Sequence, residues 1–167
     1  MSDPFKLKQY IRTVNDFPID GIAFRDITSL IETPVAFVET CEELTRISKS
    51  FDATSIASIE SRGFIFAGSI AKDLSLPFIL ARKPGKLPNE TFMKDFDLEY
   101  GSTSIEIQKN TVVNESDRVV IVDDLVATGG TAIACAELLV ENFNVKKKYI
   151  LILAVIDLPD LGGSKLI

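Results

Sequence analysis

Residues 119–131 read Val119-Val120-Ile121-Val122-Asp123-Asp124-Leu125-Val126-Ala127-Thr128-Gly129-Gly130-Thr131. The opening run is apolar and β-branched, as expected of a central strand buried on both faces. It meets two adjacent carboxylates, passes through a loop of small residues and enters a helical pattern. Neighbouring acids at a strand end repel each other, and taking either out of water costs free energy. The pair makes sense if something satisfies it, such as ribose hydroxyls, a magnesium ion, or both. Thr128-Gly129-Gly130-Thr131 offers backbone N–H groups and two hydroxyls at a helix N-terminus, and glycine lets the backbone approach a phosphate closely. The segment reads as a cradle for a ribose 5-phosphate, with acids on the sugar and amides on the phosphate. The plainer alternative is a strand-to-helix turn whose acids sit in water and cap the helix. No Gly-Lys-Ser/Thr is present, so it is not a Walker loop. The glycines are adjacent rather than spaced, so it is not a dinucleotide fingerprint.

Outward from this segment, strand-like and helical patterns alternate. Residues 130–143 read as a helix with Cys135, Leu138, Leu139 and Phe143 on one face, and residues 149–156 as another buried strand. Upstream, Thr33-Pro34 looks like an N-cap followed by proline at the first helical position. Phe37, Cys41, Leu44, Ser48 and Phe51 then recur at helical spacing. Residues 55–59 and 78–81 read as strands around a helix at 64–74, 103–108 as a half-buried strand, and 114–117 as a turn. Residues 82–98 carry Pro84, Gly85, Pro88 and Asn89 with no consistent period, which predicts one long loop. Loops longer than about 15 residues are usually functional lids or disordered. The order is that of an α/β fold with a mainly parallel central sheet flanked by helices. Ligands in such sheets bind at the carboxyl ends of the strands.

Composition bounds the rest. The chain has 167 residues, 46% hydrophobic and 25% charged, which is globular composition without low-complexity tracts or a break between domains. One domain of this length buries about 70% of its unfolded surface without a disulfide or metal staple. A net charge of −6 argues against nucleic acid or an anionic membrane as partner. The absence of histidine excludes Ser-His and Cys-His nucleophiles and histidine acid–base chemistry. Cys41 and Cys135 are too few for a disulfide framework and lack metal-ligand spacing. With no signal peptide and no apolar run long enough to span a bilayer, the expectation is a soluble cytoplasmic protein.

Segment 119–131 closely resembles the phosphoribosyl-pyrophosphate (PRPP) signature of type I phosphoribosyltransferases. Three further stretches narrow the resemblance: Gly21-Ile22-Ala23-Phe24-Arg25-Asp26; Glu60-Ser61-Arg62-Gly63-Phe64; and Arg82-Lys83-Pro84-Gly85-Lys86-Leu87-Pro88 with Leu98-Glu99-Tyr100-Gly101 behind it. In this order and spacing the chain is similar to the adenine-specific members, from about residue 17 to 165. The resemblance implies the type I fold as a single domain over 1–167, with a base-binding hood at about 1–32 and a flexible lid at about 82–100. It also implies a homodimer and the reaction adenine + PRPP → AMP + pyrophosphate with Mg²⁺. The ion would arrive with PRPP near Asp123 and Asp124 rather than in a site built by protein alone.

Residue roles follow from the same resemblance. Asp123, Asp124, Ala127, Thr128, Gly129, Gly130 and Thr131 would hold the ribose phosphate. Ser61, Arg62, Gly63, Arg82, Lys83, Lys86 and Tyr100 would hold the pyrophosphate. Arg62 would stabilise the leaving charge, and Glu99 would handle the proton of adenine N9. Phe24 would stack on the purine, the backbone of Ala23 and Arg25 would read its edge, and Leu158 would close its other side. Each has an ordinary alternative: a surface arginine, a solvated charge run, a strand-edge glutamate, a core aromatic, or an Arg25–Asp26 ion pair. Ala23 stands where the family commonly carries a larger aliphatic residue.

Among other functions, the orotate enzymes carry a lid histidine that this chain lacks. Oxopurine enzymes lack the segment running from Arg82 to Gly101 as it stands here. A DNA-binding PRPP sensor would need a basic module for which 167 acidic-balance residues leave no room. An inactive homologue would be expected to lose Glu99, Arg62 or one of the paired aspartates, and all are present.

Overall fold

The computed structural model describes residues 6–97 and 102–167. The chain divides into two compact units, Met1–Glu43 and Leu44–Ile167. In the first, β1 (Arg12–Asn15) and β2 (Ala23–Asp26) form an antiparallel ribbon in which Val14 faces Phe24, followed by the short helix α1 (Thr28–Ile31). Asp26 starts that helix by accepting the backbone N–H of Thr28 at 2.9 Å and the Thr28 hydroxyl. Helix α2 (Pro34–Ser50) begins at the proline the sequence predicts, and Cys41, Leu44 and Ser48 of its stripe are buried.

The second unit is built on a four-stranded parallel sheet: β3 (Ser55–Ile59), β4 (Phe78–Ala81), β7 (Val119–Val126) and β8 (Ile150–Asp157), in the order β4-β3-β7-β8. Helix α3 (Gly63–Leu74) links β3 to β4, and α4 (Gly130–Phe143) links β7 to β8. Strand alternation sorts the core. Ala57, Ile59, Val119 and Ile121 pack with Cys135, Leu138 and Leu139 of α4. The intervening Ile56, Val120 and Val122, fully buried, face the other way. The chain leaves β3 towards one sheet edge and β7 towards the other, so a topological switch point lies between these two central strands.

Two elements depart from expectation. The acids do not end β7, because the strand continues through both of them to Val126. Pairing with β3 stops at Ser58↔Val122, while pairing with β8 carries on through Asp123↔Ala154 to Val126↔Asp157. One-sided pairing keeps the backbone extended and frees the side towards β3 for a cleft. The expected loop over 82–98 is also shorter. Residues Thr91–Asp97 form β5, antiparallel to β6 (Ser102–Gln108). The prolines and glycine cluster in its first half, while the second half alternates. Phe92 meets Phe143 edge-on at 5.5 Å, and Lys94 bonds Glu137 and Glu141 of α4 at 3.0 and 2.7 Å. The ribbon joins the sheet where the backbones of Arg82 and Glu106 exchange hydrogen bonds of 2.9 and 2.7 Å. Among the described residues, no helix is long and apolar enough to cross a membrane.

Candidate active site

A cleft of about 380 Å³ opens at the carboxyl ends of β3 and β7. Its lining includes Ser61, Arg62, Lys83, Asp123, Asp124 and Thr131 from the sequence-predicted set. It also includes Phe96, Thr103, Ser104 and Ile105, a ribbon wall the sequence reading missed. The two-residue period of 103–108 marks that strand, but nothing local shows that it turns towards the cleft.

Successive residues of a strand point to opposite faces, and here that separates the two acids. Asp124 is buried, with its Oδ2 2.5 Å from Nε of Arg62 at the mouth of α3. Asp123 lies on the face of α4, where its charge reaches the buried Cys135 and adds to the burial that pushes that thiol up to about 12. Burial first, and the charge of Asp124 second, push Asp123 up to about 8. The backbone N–H of Asp124, donating to Asp123 at 2.8 Å, and the more distant Arg62 pull the other way. Asp124 thus has a cation and Asp123 lacks one.

Gly63 explains how Arg62 comes so near. A Cβ there would lie 2.7 Å from Oγ of Ser58, 2.9 Å from the Val122 carbonyl oxygen and 3.1 Å from Cα of Asp123. Only glycine lets α3 start directly against β7. Ser58 completes the joint by donating to the Val122 carbonyl at 2.6 Å. Arg62 meets Asp124 through Nε, so its terminal nitrogens remain for an anion, and its side chain is half exposed.

The loop cations divide into two groups. Lys83 lines the cleft and is exposed. Arg82 does not line it: Nε binds Glu60 at 2.8 Å and a terminal nitrogen binds the Lys86 carbonyl at 3.0 Å, which braces the loop against the end of β3. Lys86 is exposed and outside the lining. Ala127, Thr128 and Gly129 form the turn between β7 and α4, with Gly129 left-handed at φ 84° and Gly130 opening the helix. Leu158 follows β8, its N–H on the Val126 carbonyl at 3.0 Å. Glu99 and Tyr100 lie outside the described residues.

Ala23, Phe24 and Arg25 belong to the first unit. Phe24 is half-buried with its ring edge-on to Phe17 at 5.1 Å, while Ala23 and Arg25 are exposed. Arg25 bonds the Thr13 hydroxyl, and the ion-pair partner of Asp26 is Arg12 at 2.8 Å. The alternative of an Arg25–Asp26 pair is therefore replaced by pairs across the ribbon.

Comparisons with known proteins agree on one group. Residues 42–159 match the phosphoribosyl transferase domain family. The adenine phosphoribosyltransferase of Pelagibacter ubique is 49% identical over 158 residues, covering 95% of this chain and 88% of that protein. The crystal structure of the APRTase from Giardia lamblia complexed with 9-deazaadenine superposes with a TM-score of 0.89 at 38% identity, covering 96% of this chain and 88% of that one. The adenine phosphoribosyltransferase of Saccharomyces cerevisiae, complexed with an imino-altritol bisphosphate and adenine, gives 0.84 at 33%, covering 98% and 93%.

Proposed function

This chain belongs to the adenine phosphoribosyltransferase family, and from that premise we propose how its residues make AMP from adenine and PRPP in purine salvage. The observation that carries the reading is the meeting of Arg62 with the acid pair inside one cleft at the switch point of the sheet. As the bond from ribose C1 to pyrophosphate loosens, positive charge grows on the sugar and negative charge on the leaving group. Arg62 and Lys83, both lining the cleft, would take the leaving charge through the guanidinium's terminal nitrogens and the ammonium, a preorganised electrostatic contribution. Asp123 and Asp124 would accept the ribose hydroxyls and face the developing positive charge. The amides of the loop from Ala127 to Gly130 and the hydroxyls of Thr128 and Thr131 would hold the 5-phosphate at the start of α4. Phe24, Ala23, Arg25 and Leu158 as adenine contacts rest on the resemblance, as do the pyrophosphate contacts from Ser61, Gly63, Arg82, Lys86 and Tyr100.

Among the described residues, no three His, Cys, Asp or Glu side chains gather as a metal-ligand set. The donors left for a magnesium ion travelling with PRPP are Asp123 and Asp124, and a cation there would offset the burial and the Asp124 charge that raise the proton affinity of Asp123. When bound, the ion would spread charge over the pyrophosphate oxygens. A homodimer in the cytoplasm follows from the resemblance.

The test incubates the protein, Mg²⁺ and PRPP with each free nucleobase in turn. AMP should form from adenine, with pyrophosphate in equal amount; failure with every base would end the proposal. Glu99→Gln should lower kcat about 10²–10⁴-fold, the usual range for lost proton transfer, with both KM values near those of the parent. Unchanged turnover would remove Glu99 as the proton-handling residue.

A further inference from the structure

The turn proposed to hold the 5-phosphate does not stand alone. After β8 the chain makes two short 3-10 turns, Pro159–Leu161 and Gly163–Lys165, and at the start of the second it returns to that turn. The N–H of Gly163 donates to the Ala127 carbonyl at 3.0 Å. Just before, Leu158 has bonded the Val126 carbonyl at 3.0 Å, so two consecutive carbonyls at the end of β7 are held by one C-terminal segment.

The contact leaves no space for a side chain on Gly163 and little on Gly129. A Cβ on Gly163 would collide with the Ala127 carbonyl oxygen, and would lie 2.6 Å from both the amide nitrogen of Gly129 and the carbonyl carbon of Thr128. A Cβ on Gly129 would lie 3.1 Å from the Gly163 carbonyl oxygen and 3.2 Å from its Cα. Gly163 is buried, and its backbone shows no positive φ. It is therefore glycine for lack of room, unlike its neighbour Gly162, which is left-handed at φ 77° and meets nothing within 4 Å. A methyl group on Gly163 cannot be seated without a shift at this joint, and the atoms it would strike belong to the 127–128 and 128–129 peptide groups of the turn that would face the phosphate.

We infer that Gly163 is a positioning residue for the reaction: its bare backbone sets the aim of the 127–129 amides towards the ribose 5-phosphate without touching substrate. This rests on the reading of that turn as the phosphate cradle. Hydrogen bonds to a phosphate favour short distances and angles above about 150°, so moving several amides together off that geometry is felt in affinity. The effect should be confined to the phosphate end, because Arg62 and Lys83 reach the cleft from α3 and from the turn after β4.

The experiment compares the full-length parent, Gly163→Ala and Gly162→Asn by calorimetry with ribose 5-phosphate and, separately, with magnesium pyrophosphate. Steady-state kinetics on the same proteins supply KM and kcat. Gly163→Ala should bind ribose 5-phosphate at least ten-fold more weakly and raise the KM for PRPP by a similar factor. Its pyrophosphate affinity should stay within two-fold of the parent, and kcat should change less than KM. Gly162→Asn adds some backbone strain at a left-handed position that Asn can adopt, but its Cβ meets nothing within 4 Å, so its ligand affinities should match the parent. Parent-like binding of ribose 5-phosphate by Gly163→Ala overturns the inference, and so does an equal loss of both ligands, which would mark a general structural role. If Gly163→Ala does not fold, amide exchange in the parent decides. Saturating ribose 5-phosphate should slow exchange of the Gly163 N–H along with the loop amides, and an unaffected Gly163 N–H overturns the inference. A parent that binds no ribose 5-phosphate defeats the cradle reading itself, and this inference with it.

Discussion

Asp123→Asn should melt at a higher temperature than the parent at pH 9 while losing at least a hundred-fold in kcat/KM for PRPP. Both effects have one cause. Burial and the charge of Asp124 push the Asp123 carboxyl up to about 8, against an ordinary 3.8. Between about pH 4 and pH 8 the unfolded chain has released this proton while the folded protein still holds it. The folded state binds more protons in that window, so stability falls as pH rises and the loss is complete above about 8. Each unit is worth about 1.4 kcal/mol, so the loss is on the order of several kcal/mol. Asparagine keeps an oxygen for the Asp124 N–H and removes the charge. Its advantage should be small at pH 4, grow to pH 8 and then level off. The same charge is what the sugar and its magnesium ion would use, so adding Asp124→Asn should take PRPP binding below detection. Thermal melts from pH 4 to 9, paired with PRPP titrations, check both halves. Parallel melting curves for parent and Asp123→Asn across that range would remove the buried charge from the account.

This tension was legible in the sequence, since two acids behind a β-branched run already demand a partner. What could not be read there is which partner each acid has. A strand that stopped at Val122 would have left both carboxylates in a loop, equivalent and mobile. Because β8 extends the pairing to Val126, the pleat sends Asp124 to Arg62 and Asp123 towards the face of α4. That depends on where a neighbouring strand ends, a long-range fact with no local signature. The ribbon shows the same limit. Prolines and a glycine at 84–88 are strong local signals and dominate a window that also contains Thr91–Asp97. What makes the latter a strand is the partner strand β6, together with Phe143, Glu137 and Glu141 on α4, which receive Phe92 and Lys94. Arg82 and Lys83, adjacent and both cationic, look alike in sequence. Glu60, 22 positions away from Arg82, takes that guanidinium into the brace and leaves the ammonium of Lys83 at the cleft.

Arg62→Ala should cost two separable things, and a second substitution should return only one of them. Chemically, the cleft loses the guanidinium proposed to face the leaving pyrophosphate, and removing one such preorganised donor lowers kcat by roughly 10²–10³. Structurally, it strands Asp124, a buried carboxylate whose 2.5 Å cation is gone. Breaking a fully buried pair costs about 3–5 kcal/mol. Here the guanidinium side is half exposed and water can partly replace it, so about 2 kcal/mol is expected. Arg62→Ala/Asp124→Asn has no stranded charge and should unfold in urea close to the parent, while its turnover remains at the single variant's level or below. Arg62→Lys tests geometry, since an ammonium restores charge but cannot hold Asp124 through one nitrogen and offer two more to an anion. It should recover most of the stability and little of kcat. If the double variant stays as unstable as Arg62→Ala, the ion pair is not what holds the end of β7. If Arg62→Ala alone turns over as fast as the parent, the guanidinium has no part in releasing pyrophosphate, and the cleft must rely on Lys83.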